Sequence, residues 1–421
     1  MYCKNTIRSL MPTALGVFAV ASLAGCGGGS SSTNRSSTLP PAVAAAQRSA
    51  TPVSPALVAA NNNFGIQLLN QARLNDAGNN VFVSSPSVSI AFEIAYNGAA
   101  GTTATAMAQT LGLTSTITSP ADLNSANAAL QASFVSTDPG IQLTVANSFW
   151  YRKATGQILQ SFVDTDTQFY GAQIGDLAGA PNNINAWVSN ATNGTIPKIV
   201  DQSIQTSVAA IVNAVYFKGA WSSPFDTALT TSGTFTLANG TTTVPCSLMN
   251  QQGLFSYHQG SNYQAVKLPY GKGGASMLLV LPSPGTSVDG LLSAYNNTSL
   301  MTLRNELTSQ GGSISVPRFT TSYTLDLKQA LSAMGMSLVF DPNQANFSNM
   351  GKALFIDSAI HKTYLAVNEA GTVASGATSI GVGATSAPTI SFTMNLNRPF
   401  ICAILDENTG ELLFIGAIDH P

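Results

Sequence analysis

Three histidines, His258, His361 and His420, are the only imidazoles in a chain of 421 residues, so any Ser/His/Asp relay must draw on one of them. None has a recognisable nucleophile nearby. The sequence holds no Gly-x-Ser-x-Gly elbow, no Ser-x-x-Lys pair, no His-Glu-x-x-His helix and no Walker loop. Asp164 and Asp166 have the spacing that opens a calcium loop, but Gly175 stands where a bidentate Glu must close it, so both read as solvated loop acids. The four cysteines, Cys3, Cys26, Cys246 and Cys402, form no Cys-x-x-Cys or Cys/His cluster, and no zinc site or other cofactor is implied. Ordinary enzymes are disfavoured.

Composition narrows the field further. Charged residues make up 9% of the chain, against about 25% in a typical soluble domain. A net charge of −2 without a basic run lacks the electrostatic footprint of nucleic-acid binding. With 44% apolar residues and a mean hydropathy of +0.18, the chain can bury a sizeable core and does not read as disordered.

The N-terminus carries Lys4 and Arg8, an apolar run from Ala14 to Ala24, and then Leu23-Ala-Gly-Cys26. Residues 1–25 read as a secretory signal, too short to span a membrane, and the last four residues resemble a lipobox that leaves Cys26 for lipid attachment. With Gly27 after it, the expectation is export and anchoring at the outer membrane through lipid alone. Residues 26–56, rich in Gly, Ser, Thr, Pro and Ala, read as a flexible tether. Cys246 and Cys402 either pair in an oxidising compartment or stay buried as thiols.

Helical spacing runs from Ala56 to Asn75 and from Ser84 to Tyr96, with a third helix ending at Leu111. Strand patterns follow at 142–151, 208–217, 275–281, 313–319 and 354–367. Helices first and strands later is the α+β signature, and residues 57–421 read as one domain.

The segment Asn213-Ala-Val-Tyr-Phe-Lys-Gly-Ala-Trp221 resembles the serpin family. Further matches fall in family order: Asn80 to Ser89, Asn183 to Val188, Leu268-Pro-Tyr270, Val316-Pro-Arg-Phe319, His361-Lys362, Val367-Asn-Glu-Ala-Gly-Thr372 and Arg398-Pro-Phe400. The resemblance implies three sheets, about nine helices and an exposed reactive-centre loop that baits a protease. Counting forward from Gly371 and back from Phe400 by family spacing places the cleaved bond at Thr385-Ser386, with Ala384 as the neighbouring alternative. It further implies a hinge (Glu369, Gly371, Thr372, Ala374, Ser375, Gly376, Ala377, Thr378), a polar shutter (Ser84, Ser87, Asn213, His361) and a breach at Trp221. His361 is then structural, not catalytic. Departures from the family pattern occur at Pro86, Ala370 and Val373.

Family resemblance also implies the mode of inhibition: cleavage releases a strained state, and the cut loop inserts into the central sheet as a new strand. Such a strand must donate backbone N–H groups and bring no charge inside. Residues 371–385 contain no Pro and no ionisable side chain. By the period of two, Thr372, Ala374, Gly376, Thr378, Ile380 and Val382 share one face, small residues leading. Thr385 between Ala384 and Ser386 suits a small uncharged pocket, as in elastase-like or subtilisin-like serine proteases, with papain-like cysteine proteases also open. The protein is expected to be a monomer. The alternative is a non-inhibitory serpin acting as a chaperone or binding protein.

Overall fold

The computed structural model describes residues 40–113, 117, 119–135, 138–154, 156–372 and 389–421. Among them are ten α-helices and three sheets, the α+β organisation expected from the sequence. The helices are α1 (Pro41–Ser49), α2 (Pro55–Asn75), α3 (Ser85–Gly98), α4 (Gly101–Thr110), α5 (Pro120–Ser133), α6 (Gln160–Tyr170), α7 (Asn182–Ala191), α8 (Val288–Leu292), α9 (Asn297–Glu306) and α10 (Leu327–Leu331). Several start as helix chemistry dictates: the Ser54 and Ser119 hydroxyls accept from the first-turn N–H groups of Leu57 and Asp122, each followed by Pro.

Strands are numbered in chain order. The six-stranded sheet contains β2 (Ile141–Tyr151), β4 (Gln173–Asp176), β5 (Ala209–Ala220), β11 (Phe319–Asp326), β13 (Ser358–Asn368) and β14 (Gly371–Thr372), in the order β11-β13-β14-β5-β2-β4. The nine-stranded sheet contains β1 (Val81–Val83), β6 (Thr231–Thr236), β7 (Thr243–Gln259), β8 (Tyr263–Tyr270), β9 (Ala275–Pro282), β10 (Thr308–Pro317), β15 (Phe392–Asn395), β16 (Phe400–Asp406) and β17 (Leu412–Ile418). A small ladder joins β3 (Gln157–Ile158) to β12 (Gly351–Lys352).

Alternation explains the six-stranded sheet's edge: in β11, buried and exposed residues alternate strictly, so one face packs and the other is wet. By contrast β9, β16 and β17 are buried at every position, as continuous apolar runs covered on both faces must be. Helix α3 is buried nearly all round and packs on β5, β2, β17, α2 and α6.

Four sequence readings change. The run 313–319 is not one strand, because β10 ends at Pro317, which has no N–H for the ladder, and β11 begins in the other sheet. Residues 354–357 precede β13 rather than belonging to it. The segment 26–56 is not all tether: α1 folds back with Val43 and Ala46 buried beside Ala128 of α5, while Cys26 and the leader lie outside the described residues. Asp164 and Asp166 sit on α6 rather than a loop, and Asp166 is fully buried. Helices α2, α3 and α4 and strands β2, β5 and β9 lie within a few residues of their expected positions. No helix among the described residues is long and apolar enough to cross a membrane.

Candidate functional site

Beneath the centre of the six-stranded sheet, β13 and β5 run parallel, with His361 opposite Asn213 and Asn213 opposite Asn147 of β2. These polar residues point into a buried space, where each donor must find an acceptor. The backbone N–H of Ser84 donates to His361 Nε2 at 3.1 Å, which leaves Nδ1 protonated to donate to Asn213 Oδ1. The Asn213 amide then donates to Ser87 Oγ at 2.6 Å, to the Ser87 carbonyl at 3.0 Å and to Asn147 Oδ1. Burial holds the imidazole neutral by lowering its pKa from 6.5 to about 3.

All four shutter residues therefore meet, with one correction. Ser84 joins through its backbone as the residue before α3, and its own hydroxyl is buried without a partner. Asn147 is a member that sequence reasoning does not single out, although it faces the same interior on β2. Thr363 lies two residues along β13 from His361, and its hydroxyl donates to the Phe82 carbonyl at 2.7 Å.

Higher in the same sheet, β13 turns at Glu369 and Ala370 and returns as β14, which pairs with β13 on one side and β5 on the other. Gly371 is required at this turn: its φ is +147°, and a Cβ would stand 2.1 Å from the Gly219 carbonyl oxygen. Thr372 is fully buried and shares a 2.6 Å hydrogen bond with the Tyr270 hydroxyl. Tyr270 stacks on Trp221 with centroids 4.5 Å apart. The Trp221 indole N–H donates to the Asn368 carbonyl at 2.9 Å, and the backbone N–H groups of Trp221 and Phe225 donate to the carbonyls of Ala370 and Glu369. Trp221 thus stands where the hinge enters the sheet.

Glu369 is nearly buried, and Arg318 Nε donates to both its oxygens at 2.7 and 2.8 Å, while the Thr230 hydroxyl donates at 2.5 Å. Burial raises the carboxyl pKa, but the Arg318 and Thr230 bonds more than offset it, and Glu369 stays below its ordinary value. Tyr270 and Arg318 both lie inside motifs read from the sequence, Leu268-Pro-Tyr270 and Val316-Pro-Arg-Phe319, but their partners sit far along the chain.

Below β14 the sheet is closed, since β13 and β5 pair directly from Ser358–Ala210 to Tyr364–Tyr216. Downstream, β15 pairs parallel with β10, and Phe392 stacks on Tyr257 with centroids 3.7 Å apart. The chain is therefore held in one sheet at Thr372 and in the other at Phe392. Ala374, Ser375, Gly376, Ala377, Thr378, Ala384, Thr385 and Ser386 lie outside the described residues.

No group of three or more His, Cys, Asp or Glu among the described residues could hold a metal. His258 lies 3.3 Å from Glu306, and His420 hydrogen-bonds the Gly78 carbonyl. Neither meets a nucleophile in these contacts. Cys246 and Cys402 are free thiols, and burial pushes the Cys402 thiol well up.

Residues 59–421 match the family model described as Serpin (serine protease inhibitor). The chain is similar to intracellular coagulation inhibitor 1 of Tachypleus tridentatus, at 31% identity over 85% of this chain and 88% of that protein. It is also similar to human corticosteroid-binding globulin, at 29% identity over 87% of this chain and 90% of that protein. Among solved structures, the thermophilic serpin tengpin in its native state aligns with a TM-score of 0.79 at 28% identity, covering 86% of this chain and 94% of that one.

Proposed function

The chain belongs to the serpin family, and from that premise we propose that it inhibits serine-type endopeptidases as a suicide substrate cleaved at Thr385-Ser386. The observation that carries this reading is the seated hinge. Gly371 and Thr372 already occupy the position of a central strand between β13 and β5, while those strands pair directly with each other below.

The protease serine attacks the Thr385 carbonyl, forms an ester with it and releases Ser386 as a new amine terminus. Freed at that end, the loop continues the strand that β14 begins, and the direct β13–β5 bonds give way to bonds from each strand to the insert. The stretch is built for this, with no Pro and no charge from Gly371 to Thr385. Dragging the acyl-enzyme along displaces its catalytic groups, and misplacement by about 1 Å can slow a step about 10²-fold. Elastase-like or subtilisin-like enzymes are the proposed targets, because Ala384, Thr385 and Ser386 offer only small uncharged side chains. Export and lipid anchoring through Cys26 belong to the same reading, supported by the leader sequence.

Similarity to corticosteroid-binding globulin supports a second reading as a carrier. The uncharged, Pro-free hinge favours the first.

Incubation of the purified chain with elastase or subtilisin is expected to give a complex stable in SDS and a released peptide starting at Ser386. Cleavage without complex, across a panel of proteases, overturns inhibition and leaves the carrier reading. Thr372→Arg, which puts a charge where the first inserted residue is buried, is expected to turn inhibitor into substrate. Unchanged inhibition by that variant contradicts the hinge argument.

A further inference from the structure

A second buried polar region lies beside the shutter and is rich in carboxyl groups. Glu93 of α3 is fully buried, and neither carboxyl oxygen makes a hydrogen bond of normal geometry. Asp166 of α6 accepts from the Asn97 amide at 2.8 Å through one oxygen, and its other oxygen is buried without a partner. Glu411, just before β17, is fully buried, and neither of its oxygens makes a hydrogen bond of normal geometry.

The groups that shift these acids are neutral or negative, with Arg304 lying against Gly410 but causing no shift at Glu411. Tyr170 of α6 interacts with Glu93 and Asp166, Glu411 with Glu93 and Asp406, and the Asn127 and Asn61 amides oppose the burial of Glu93 and Glu411 only in part. No Lys, Arg or His among the described residues is a cause of any shift at the three acids. An ionised carboxylate in such surroundings is costly, and the neutral acid is the state that fits.

The location ties this region to the sheet. Glu93 sits on the same helix as Ser87, less than two turns away, and that helix packs against β5 and β2. On the Glu411 side, Asn61 also presents its carbonyl to the Ser85 hydroxyl at the start of α3.

We propose that Glu93, Asp166 and Glu411 act as a proton-dependent latch on α3. As neutral acids they keep the helix seated under β5 and β2, and their ionisation loosens it and lets the centre of the sheet part. Burial pushes Glu93 up from 4.5 to about 8 and moves Asp166 and Glu411 well up, in the sense the latch requires. The device is independent of whether a protease is inhibited.

Hydrogen exchange at β5 and β13 amides from pH 6 to 9, corrected for intrinsic exchange, tests it. In the wild type, the opening constant is expected to rise with pH by up to about tenfold per unit for each proton released. Glu93→Gln and Glu411→Gln are expected to flatten that rise while leaving the pH profile of α9 unchanged. A flat wild-type profile overturns the latch, and so does an unaltered slope in Glu93→Gln. If Glu93→Gln does not fold, Glu411→Gln and Asp166→Asn provide the same comparison.

Discussion

Glu369 at the top of the six-stranded sheet and Glu93 beneath its centre are both carboxyls withdrawn from water, yet their surroundings treat them in opposite ways. Glu369 has the Arg318 guanidinium and the Thr230 hydroxyl on its oxygens and stays ionised. Glu93 has only burial and the Asn127 amide, and burial raises its pKa from 4.5 to about 8. At the hinge, pairing fixes a backbone turn. Beneath the sheet, lack of pairing makes a helix seat conditional on protonation.

Between these regions lies the satisfied network of His361, Asn213 and Ser87, and breaking it is expected to have the largest effect. Asn213→Leu leaves the His361 Nδ1–H and the Ser87 hydroxyl without their partner, at about 1–3 kcal/mol for each buried group. Calorimetry is expected to show a fall in midpoint of roughly 1–2 °C per kcal/mol. A change under about 1 °C means that the network is not what holds the sheet's centre.

Glu369→Gln comes next. It removes a charge from a pair whose arginine side is 46% exposed, so solvent screening limits the loss to about 1–2 kcal/mol. Because the folded pKa of Glu369 lies below 4.5, its contribution is present above that pH and is lost as pH falls through the folded value. Urea midpoints of wild type and variant are therefore expected to differ at pH 7 and converge in acid. Equal midpoints at pH 7 contradict the role given to the pair.

The two kinds of buried group also set the whole pH profile. His361 is lowered from 6.5 to about 3, so its contribution is complete above pH 6.5 and fades as pH falls toward 3. Glu93 is raised from 4.5 to about 8, so its contribution is complete below pH 4.5 and fades as pH rises through 8. The slopes of Glu93 and His361 oppose each other between pH 4.5 and 6.5, and Asp166 and Glu411, raised in the same sense as Glu93, add to the fall with rising pH. Urea titrations are expected to place maximum stability on the acid side of neutral, and Glu93→Gln to lessen the loss of stability toward alkaline pH. A wild-type maximum above pH 8 contradicts this balance.

Tyr270→Phe is the smallest change expected. It removes the bond to Thr372 and leaves that buried hydroxyl unpartnered, for about 1 kcal/mol. Faster exchange at Gly371 and Thr372 is the readout, and protection equal to wild type shows that the backbone pairing alone seats the hinge.

The parts of this architecture that the sequence makes legible are contiguous. Hinge and shutter stand in short motifs, such as Val367 to Thr372, whose residues meet through a strand turn or facing strands. The Tyr270–Thr372 and Arg318–Glu369 contacts are not legible, because each joins separate motifs by tertiary packing that no local spacing encodes. Glu93 and Glu411 are hidden for another reason: a charged residue on an apolar helix or strand reads as an edge position, and only packing on every side shows it buried. Helix α1 is concealed because Pro- and Ala-rich sequence with few large apolar residues reads as linker, whereas Val43 needs only the surface of α5 and α6 to bury it.

On the proposed function, the sheet accepts the cleaved loop as a new strand. The most direct measurement is the thermal midpoint of the purified chain before and after cleavage within residues 373–388. About a dozen new ladder bonds at about 1 kcal/mol each, converted at roughly 1–2 °C per kcal/mol for a domain of this size, give a rise on the order of 10–20 °C. A cleaved form that melts at or below the intact midpoint contradicts insertion.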